Sequence, residues 1–361
     1  MTNLIKTLIK ETLNSITEID WDGEFSDVKQ SCTKTEDVVE YLNKVRANSG
    51  KKTADREKFP KNKPYVHAKS SFFKKDEDTV DIDYFIERIT TPPINIISSS
   101  NDKMAKTGSQ YEFVYSTGIP AFRGIAYSVK NKRFHYINTC PGAGDCVLIC
   151  YALRGNYVRY PRSYDAMTRR LNYLLNYPDR YEQQMYDELK DKCERHKAFE
   201  GYRAKVTVRW NDSGDFFTRK YVKIAQDVIA RLKADGYNVD SYAYTKVADV
   251  AKDNKFGSSS FSSGANKKQS SQVTSPDQKR SVIVPKELFA DLDLMKVSDE
   301  AALKDRISQK FGLNSNDIIT YVELMNTPKT DTPKWHVIVV PGDGDDAAIR
   351  HDVKTVLLTQ H

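Results

Sequence analysis

Residues 205–246 read KVTVRWNDSGDFFTRKYVKIAQDVIARLKADGYNVDSYAYTK, and this stretch decides the fold class. Lys205–Trp210 predicts a strand, and Val239–Tyr244 predicts a second one. Between them, Thr218–Ala234 has the period of an amphipathic helix, because apolar residues recur every three or four positions: Tyr221, Ile224, Ala225, Val228, Ile229 and Leu232. Two strands joined by a helix form a βαβ unit with parallel strands. We therefore predict an α/β fold.

Polar residues follow both of these strands. The carboxyl ends of parallel strands meet at one edge of a sheet, which is where α/β proteins bind ligands. We predict that this carboxyl edge binds a polar cofactor through eight residues: Arg209, Asn211, Asp212, Ser213, Gly214, Asp215, Thr245 and Lys246. The alternative for Asp212 or Asp215 is that its side chain caps the helix that follows.

A second informative stretch, NTCPGAGDCVLICY at residues 138–151, places three of the five cysteines in one short loop. Thiolates are soft ligands that suit iron–sulfur clusters, zinc and copper(I), and the glycines of the loop allow tight turns. Arg133–Ile137 predicts a strand directly before the loop, so the cysteines should also lie at a strand end. We predict that they hold one metal centre with an open coordination position: Cys140, Cys146 and Cys150.

Three other interpretations of these cysteines remain open. Cysteine often packs as a small apolar residue, so the loop is alternatively a turn that enters the core. Zinc is the rival metal, with His135 as a fourth ligand. A disulfide is disfavoured, because the chain starts without a secretory apolar segment and has an odd number of cysteines.

Positive charge is concentrated in the sequence around the three loop cysteines. The whole chain carries +7 with a pI near 8.9, which does not by itself indicate a nucleic-acid partner. From Arg123 to Arg170, however, the sequence contains nine basic residues and only two acidic ones. Four arginines in or near the tyrosine-rich segment that follows the loop are candidates for contacts with nucleic acid, a nucleotide or another anion: Arg154, Arg159, Arg162 and Arg169. The alternative is that they bind a carboxylate or lie on a plain charged surface.

The sequence also predicts how the chain is divided. Residues 1–70 form a helical N-terminal extension, with helices at Asn3–Ile16 and Thr35–Val45 and a polar linker or arm at Asn48–Lys69. Residues 71–361 form the α/β domain. No segment approaches the ~18 consecutive apolar residues of a membrane span, so we expect a soluble, cytoplasmic protein with no membrane partner.

Two stretches near the C-terminus have a weaker pattern. Phe256–Ser275 is rich in Ser, Gly, Asn and Gln, which predicts a flexible loop that either covers the carboxyl edge as a lid or extends over the surface. After the glycines near residue 342, a final helix carrying Ile349, Val353, Val356 and Leu357 is expected, with the aspartates at its start.

Three motifs in this order resemble a bacteriophage family called gene product eighty-eight, which is similar to radical-SAM proteins. They are TCPGAGDC with its following CYA, RWNDSGDFF followed by YAYTK, and the ending VIVVPGDGDDAAIRHDV, and the resemblance extends from about Ser100 to the end. It implies a partial βα barrel, a [4Fe–4S] cluster on the three cysteines, S-adenosylmethionine as cofactor, and a location in the host cell.

One departure from the radical-SAM pattern keeps two functions open. The usual loop is C-x3-C-x2-C, whereas this one is C-x5-C-x3-C and its Tyr151 follows the last cysteine. The first function is a radical enzyme that acts on a small molecule, nucleotide or peptide. The second is a non-enzymatic phage protein that uses the metal loop as a structural or redox-sensing element and binds nucleic acid or a host protein.

Overall fold

The computed structural model describes residues 25, 27, 28, 30–47, 63–98, 112–153, 157, 159–197, 205–252, 255–275, 277–292, 297–340, 343, 344 and 346–359. These residues form nine α-helices and eleven strands in a mixed α/β fold. The helices are α1 (Thr35–Ala47), α2 (Ile82–Thr90), α3 (Pro161–Asn176), α4 (Pro178–Lys197), α5 (Arg219–Ala234), α6 (Ala248–Lys252), α7 (Lys267–Ser270), α8 (Val297–Phe311) and α9 (Tyr321–Asn326). The strands are β1 (Gln30–Thr33), β2 (Glu112–Ser116), β3 (Arg123–Ser128), β4 (Arg133–Asn138), β5 (Lys205–Trp210), β6 (Val239–Thr245), β7 (Ser258–Ser262), β8 (Arg280–Val284), β9 (Ile318–Thr320), β10 (Trp335–Val339) and β11 (Val353–Thr359).

Eight of the strands form one parallel sheet, in the order β2-β5-β6-β7-β8-β11-β10-β9. The predicted βαβ unit is confirmed, since β5 and β6 are parallel neighbours and α5 connects them. Both strands and the helix lie within one residue of their predicted bounds. The α/β class is therefore confirmed.

Both faces of this sheet are covered by apolar side chains. On one face, the buried stripe of α5 packs with residues such as Val208 of β5 and Ala243 of β6. On the other face, Val114 from the edge strand β2 and Ile319 from the opposite edge strand β9 belong to one cluster around Tyr242. A shared cluster of this kind indicates that the sheet curves. Within the described residues β2 and β9 do not pair with each other, so the predicted barrel stays a prediction.

The other three strands form a smaller antiparallel sheet in the order β1-β4-β3, and its strand β4 leads into the cysteine loop. Its inner side packs with α1 and α2 around Phe85 and Phe134. The predicted helix at Thr35–Val45 is confirmed as α1, whereas Asn3–Ile16 lies outside the described residues. The division at residue 70 stays a prediction.

The predicted polar linker is wrong for its last residues. Val66 and His67 are buried, and the Tyr41 hydroxyl of α1 donates to the Pro64 carbonyl. Beyond the linker, Ser70 and Ser71 donate to the Asp165 carboxylate of α3 at 2.6 to 2.8 Å. This part of the chain is therefore packed against α1 and α3, where its polar groups find partners.

The serine-rich stretch predicted as a loop instead contains a central strand, β7. Its hydroxyls are bonded inside the protein: Ser258 donates to the Ala348 carbonyl at 2.6 Å, Ser259 to the Ala251 carbonyl at 2.8 Å, and Ser260 shares a 2.6 Å hydrogen bond with Ser281. Buried hydroxyls that are satisfied in this way do not oppose strand formation. Composition was misleading because it says nothing about these partners.

The predicted C-terminal helix is also wrong, since Val353–Thr359 forms β11 between β8 and β10. Val356 and Leu357 face opposite sides of the sheet and belong to different apolar clusters. Apolar residues three and four positions apart suit a helix, but they also occur in a strand that is buried on both faces.

None of the helices that the structure describes is long and apolar enough to cross a bilayer.

One buried histidine should make the fold sensitive to acid. His135 lies in the middle of β4 and is fully buried, and burial lowers the pKa of its imidazole from 6.5 to about 4. The unfolded chain then binds a proton at a higher pH than the folded chain does. We expect the free energy of unfolding to fall as the pH drops from 6.5 towards 4, with His135 accounting for about 3 kcal/mol of the loss.

Denaturant titrations across this pH range measure the effect. The His135→Leu variant should show a shallower pH dependence than the parent chain, whatever its absolute stability. His351→Asn, at an exposed position, is the matched control and should keep the parent slope. Equal slopes for the parent and His135→Leu would contradict the prediction.

Candidate metal and cofactor site

The cysteine loop leaves β4 and folds onto the carboxyl edge of the parallel sheet. The Asp215 backbone N–H, just after β5, donates to the Thr139 carbonyl at 2.9 Å. The Gly144 N–H donates to the Gly264 carbonyl, after β7, at 2.9 Å, and Ala143 forms an antiparallel bridge with Ala265. The structure therefore brings the loop and the ends of β5, β6 and β7 to one edge, as the strand-end argument predicted.

Two glycines are required for this close approach. A Cβ atom on Gly142 would lie 2.1 Å from the Lys246 carbonyl oxygen at the end of β6. Gly264, at φ +75°, faces Cys146, and a Cβ there would come within 2.9 Å of the Cys146 Cβ. Only glycine fits where two backbones approach so closely.

All three loop cysteines are free thiols. The Phe122 N–H donates to the Cys140 sulfur at 3.2 Å. Burial raises the pKa of the Cys140 thiol, and the Asp215 carboxylate raises it further. Burial also raises the pKa of Cys150, against the effect of the Ala152 and Leu153 backbone N–H groups.

The three cysteines are neighbours at this edge of the sheet. Cys150 interacts electrostatically with both Cys140 and Cys146, and Lys246 acts on Cys140 and Cys150. Among the described residues, no three His, Cys, Asp or Glu side chains form a group that could hold a metal ion. His135, the candidate fourth zinc ligand, lies within the antiparallel sheet, where it pairs with Cys32 of β1 and Ala126 of β3.

Asp215 links β5 to β6. Its Oδ1 accepts from the Phe216 N–H and from the Thr245 hydroxyl, both at 2.7 Å, and its Oδ2 accepts from the Lys246 N–H at 2.8 Å. The side chain is buried, and burial raises the pKa of the carboxyl group while these donors lower it. Three donors leave this carboxylate little capacity for a ligand, so Asp215, with Thr245 and the Lys246 backbone, holds the edge together.

Asp212 has a different environment and is only partly buried. Its Oδ2 accepts from the Ser116 hydroxyl at 3.0 Å and from the Tyr157 hydroxyl at 3.1 Å. The Tyr151 hydroxyl, next to the last cysteine, donates to the Asp212 carbonyl. Burial raises the pKa of the Asp212 carboxyl group, and the Arg209 charge lowers it. Asp212 thus lies between the cysteine loop and the ends of β2 and β5.

Neither carboxylate caps α5, so that alternative is wrong. The N-cap residue Thr218 makes no side-chain cap bond, and the Arg219 N–H donates instead to the Asp27 Oδ2 at 2.8 Å. Asp27 is 191 residues earlier in the chain than Thr218. No local sequence pattern would have indicated this partner.

The other candidate residues of the β5 loop shape it. Asn211 has a left-handed backbone at φ +55°, and its Oδ1 accepts from the Tyr221 hydroxyl at 3.0 Å. Gly214 is at φ +79°, and a Cβ there would lie 2.4 Å from the Ile119 side chain. Ser213 is buried, and its carbonyl accepts from the Ile119 N–H at 3.0 Å.

The Arg209 guanidinium lies 5.7 Å from the Tyr244 ring, beside Asp212.

The four candidate arginines separate into different environments. Arg159 and Arg162 are exposed. Arg169 is partly buried, its Nε donates to the Arg88 carbonyl at 3.1 Å, and its guanidinium lies 5.5 Å from the Phe72 ring. Arg169 therefore stabilises the packing of α3, whereas Arg154 lies outside the described residues.

The sequence did not indicate four residues of this site. Ser116, Tyr151 and Tyr157 contact Asp212, and Asn266 donates from its side chain to the Pro141 carbonyl at 3.1 Å. Ser116 ends β2 and Asn266 follows β7, so a position at a strand end was a usable signal for both, but the sequence around β7 had been interpreted as a loop. Tyr151 and Tyr157 belong to the tyrosine-rich segment, whose predicted role was contact with nucleic acid or another anion.

Comparison with known proteins gives the family. No curated protein and no solved structure matches the chain. The model of the family described as Gene product 88 matches residues 95–360, which include every strand of the parallel sheet and the whole cysteine loop. Because the match covers most of the chain, this protein belongs to the Gene product 88 family.

Proposed function

We propose that this chain is an iron–sulfur protein that holds a [4Fe–4S] cluster on Cys140, Cys146 and Cys150 and acts as a radical enzyme on a small molecule or nucleotide. The observation that carries the proposal is the three-thiol loop itself, which is fixed by backbone hydrogen bonds to the carboxyl edge of a parallel sheet. Reactive groups of α/β proteins lie at this edge.

Three thiols in one loop suit a cluster that keeps one coordination position open. Cys150 interacts electrostatically with both Cys140 and Cys146, so the three thiols lie near one another. The Phe122 N–H and the Lys246 charge would both stabilise thiolate sulfur. Bound there, the cluster would supply an electron.

Asp212 is the residue that we assign to a second, polar cofactor such as S-adenosylmethionine. Asp212 is partly exposed and contacts Tyr151, the residue that follows Cys150. Its carboxylate can accept a hydrogen bond from an ammonium group or a ribose hydroxyl. Arg209, next to it, would contact an anionic group of the ligand or substrate.

Anaerobic purification followed by iron, sulfide and zinc analysis tests the proposal. We expect about four iron and four sulfide per chain after reconstitution, with charge-transfer absorption in the visible range. Adding S-adenosylmethionine should then alter the electron paramagnetic resonance signal of the reduced protein. Equimolar zinc from iron-replete anaerobic cultures would contradict the cluster, and an unchanged signal would contradict the cofactor alone.

The competing function is non-enzymatic binding to nucleic acid. The observation that favours it is the exposure of Arg159 and Arg162 on either side of the exposed Tyr160. Bases stack on tyrosine, and arginine neutralises phosphates. Salt-sensitive binding of a single-stranded oligonucleotide, lost in Arg159→Gln/Arg162→Gln, would support this function if no iron is found.

A further inference from the structure

The two oxygens of the Asp212 carboxylate have different environments. Among the residues that the structure describes, both hydrogen bonds to this carboxylate end on Oδ2, one from the Ser116 hydroxyl at 3.0 Å and one from the Tyr157 hydroxyl at 3.1 Å. One carboxylate oxygen accepts about two hydrogen bonds, so these two donors saturate Oδ2. Oδ1 is therefore the oxygen that can accept from a ligand.

The neighbours of Asp212 fix the rotation of its side chain. Ser116 ends β2 and is only 1% exposed, while Tyr157 lies between the cysteine loop and α3. Gly118 lies against the other oxygen, since a Cβ atom there would be 2.1 Å from Oδ1. Only glycine leaves room for the carboxylate in this orientation. A side chain that is already held in place loses little conformational entropy when a ligand binds.

We infer that Ser116 and Tyr157 are positioning residues that hold Oδ2 of Asp212 inside the protein and present Oδ1 to the bound cofactor. This inference rests on the proposed function, which assigns Asp212 to S-adenosylmethionine or a similar polar ligand. Two hydroxyl groups that do not touch the ligand thereby set how tightly Asp212 binds it. A carboxylate without them carries the same charge but has no fixed direction, so its ligand binds more weakly.

The same hydroxyl groups favour the ionised form of Asp212. Burial raises the pKa of the Asp212 carboxyl group, whereas four neighbours lower it: the Arg209 charge, the Ser116 hydroxyl, the Arg170 charge and the Tyr157 hydroxyl. Tyr221 of α5 also faces Asp212, and burial keeps the pKa of its hydroxyl well above the ordinary value, so it stays neutral. Loss of one hydroxyl donor therefore raises the pKa of Asp212, and on acidification the carboxylate takes up its proton at a higher pH.

Equilibrium dialysis of S-adenosylmethionine against the anaerobic, cluster-loaded chain tests the inference, with all variants compared at equal iron content. We expect Tyr157→Phe, which removes the hydroxyl and keeps the ring, to weaken binding about 5-fold or more. In the Asp212→Ala background there is no carboxylate to orient, so the same change should weaken binding less than about 2-fold. A role of Tyr157 in stability alone would give the same loss in both backgrounds.

The pH dependence of binding is the second measurement. When the pH is lowered from 7.5 to 5, Tyr157→Phe should lose S-adenosylmethionine at a higher pH than the parent does. Ser116→Ala/Tyr157→Phe should lose it at a higher pH still, because neither donor then stabilises the ionised carboxylate.

Two other tyrosines supply matched controls. The Tyr151 hydroxyl donates to the backbone carbonyl of Asp212 and not to its carboxylate, so Tyr151→Phe should keep the parent's pH dependence, whatever its affinity. Tyr186→Phe removes a hydrogen bond from tyrosine to the Asp235 carboxylate after α5, and it should match the parent in both measurements.

The outcomes separate the inference from the proposed function. Parent-like binding by Tyr157→Phe, an equal loss in both backgrounds, or an unchanged pH dependence would overturn the positioning role and leave the proposed function intact. An Asp212→Ala chain that binds as tightly as the parent would instead remove Asp212 from the cofactor site. Absence of iron would overturn the proposed cluster.

Discussion

Replacing Cys140, Cys146 and Cys150 together with Ala is expected to reduce bound iron from about four atoms per chain to almost none and to abolish the visible charge-transfer absorption. The three sulfurs are the thiols that the loop brings to the carboxyl edge, and a cluster cannot be held without them. Iron and sulfide analysis and absorption spectra of anaerobic protein measure the loss.

The other two cysteines supply the controls. Cys32 lies in β1 and Cys193 is buried in α4, so Cys32→Ala and Cys193→Ala should keep the full iron content. Cys140→Ser keeps an acceptor for the Phe122 N–H, which separates loss of a ligand from loss of a hydrogen bond. A triple variant that retains the parent iron content and spectrum would show that the metal, if present, is bound elsewhere.

The sequence predicted the position of this loop, whereas its function stays a prediction. Strand β5, helix α5 and strand β6 have uninterrupted periodicity, so their order and parallel pairing followed directly, and with them the edge at which Asp212 and Asp215 emerge. The strand before Cys140 then placed the loop at a strand end as well. Local patterns sufficed here because each element is stabilised by its own apolar face.

Predictions were wrong where partners distant in sequence decide the structure. The serines of β7 are compatible with a strand only because Ser281, Ala251 and Ala348 bond to them. Val353–Thr359 forms the strand β11 because β8 and β10 pair with it, one on each side. Asp27 caps α5 from the other end of the chain. A local sequence pattern indicates none of these contacts, because each joins residues that are distant in sequence.

The same limitation applied to the two aspartates of the D-S-G-D motif, which the sequence treated alike. The structure separates them, since Asp215 accepts from three donors inside the protein and Asp212 accepts from two hydroxyls at a partly exposed position. A change at Asp215 should therefore affect mainly stability, and a change at Asp212 should affect mainly binding.

Asp215→Ala is expected to lower the free energy of unfolding by about 3–5 kcal/mol. The substitution leaves the Phe216 N–H, the Thr245 hydroxyl and the Lys246 N–H without their acceptor in a buried place, and hydrogen bonds to a charged group contribute about 1.5–3 kcal/mol each. Relief of the cost of burying a charge offsets part of the sum. Denaturant unfolding at neutral pH measures the change.

Asp212→Asn is the matched variant, because Asp212 lies in the same loop as Asp215. The substitution keeps the shape of the side chain and one acceptor oxygen. It should unfold within about 1 kcal/mol of the parent, yet bind S-adenosylmethionine at least about 10-fold more weakly in calorimetry, since a charged partner is lost. An Asp215→Ala chain as stable as the parent would remove Asp215 as the link between β5 and β6. An Asp212→Asn chain that binds as tightly as the parent would remove Asp212 from the cofactor site. The two outcomes are independent, because one concerns the folding of the edge and the other the binding of the proposed cofactor.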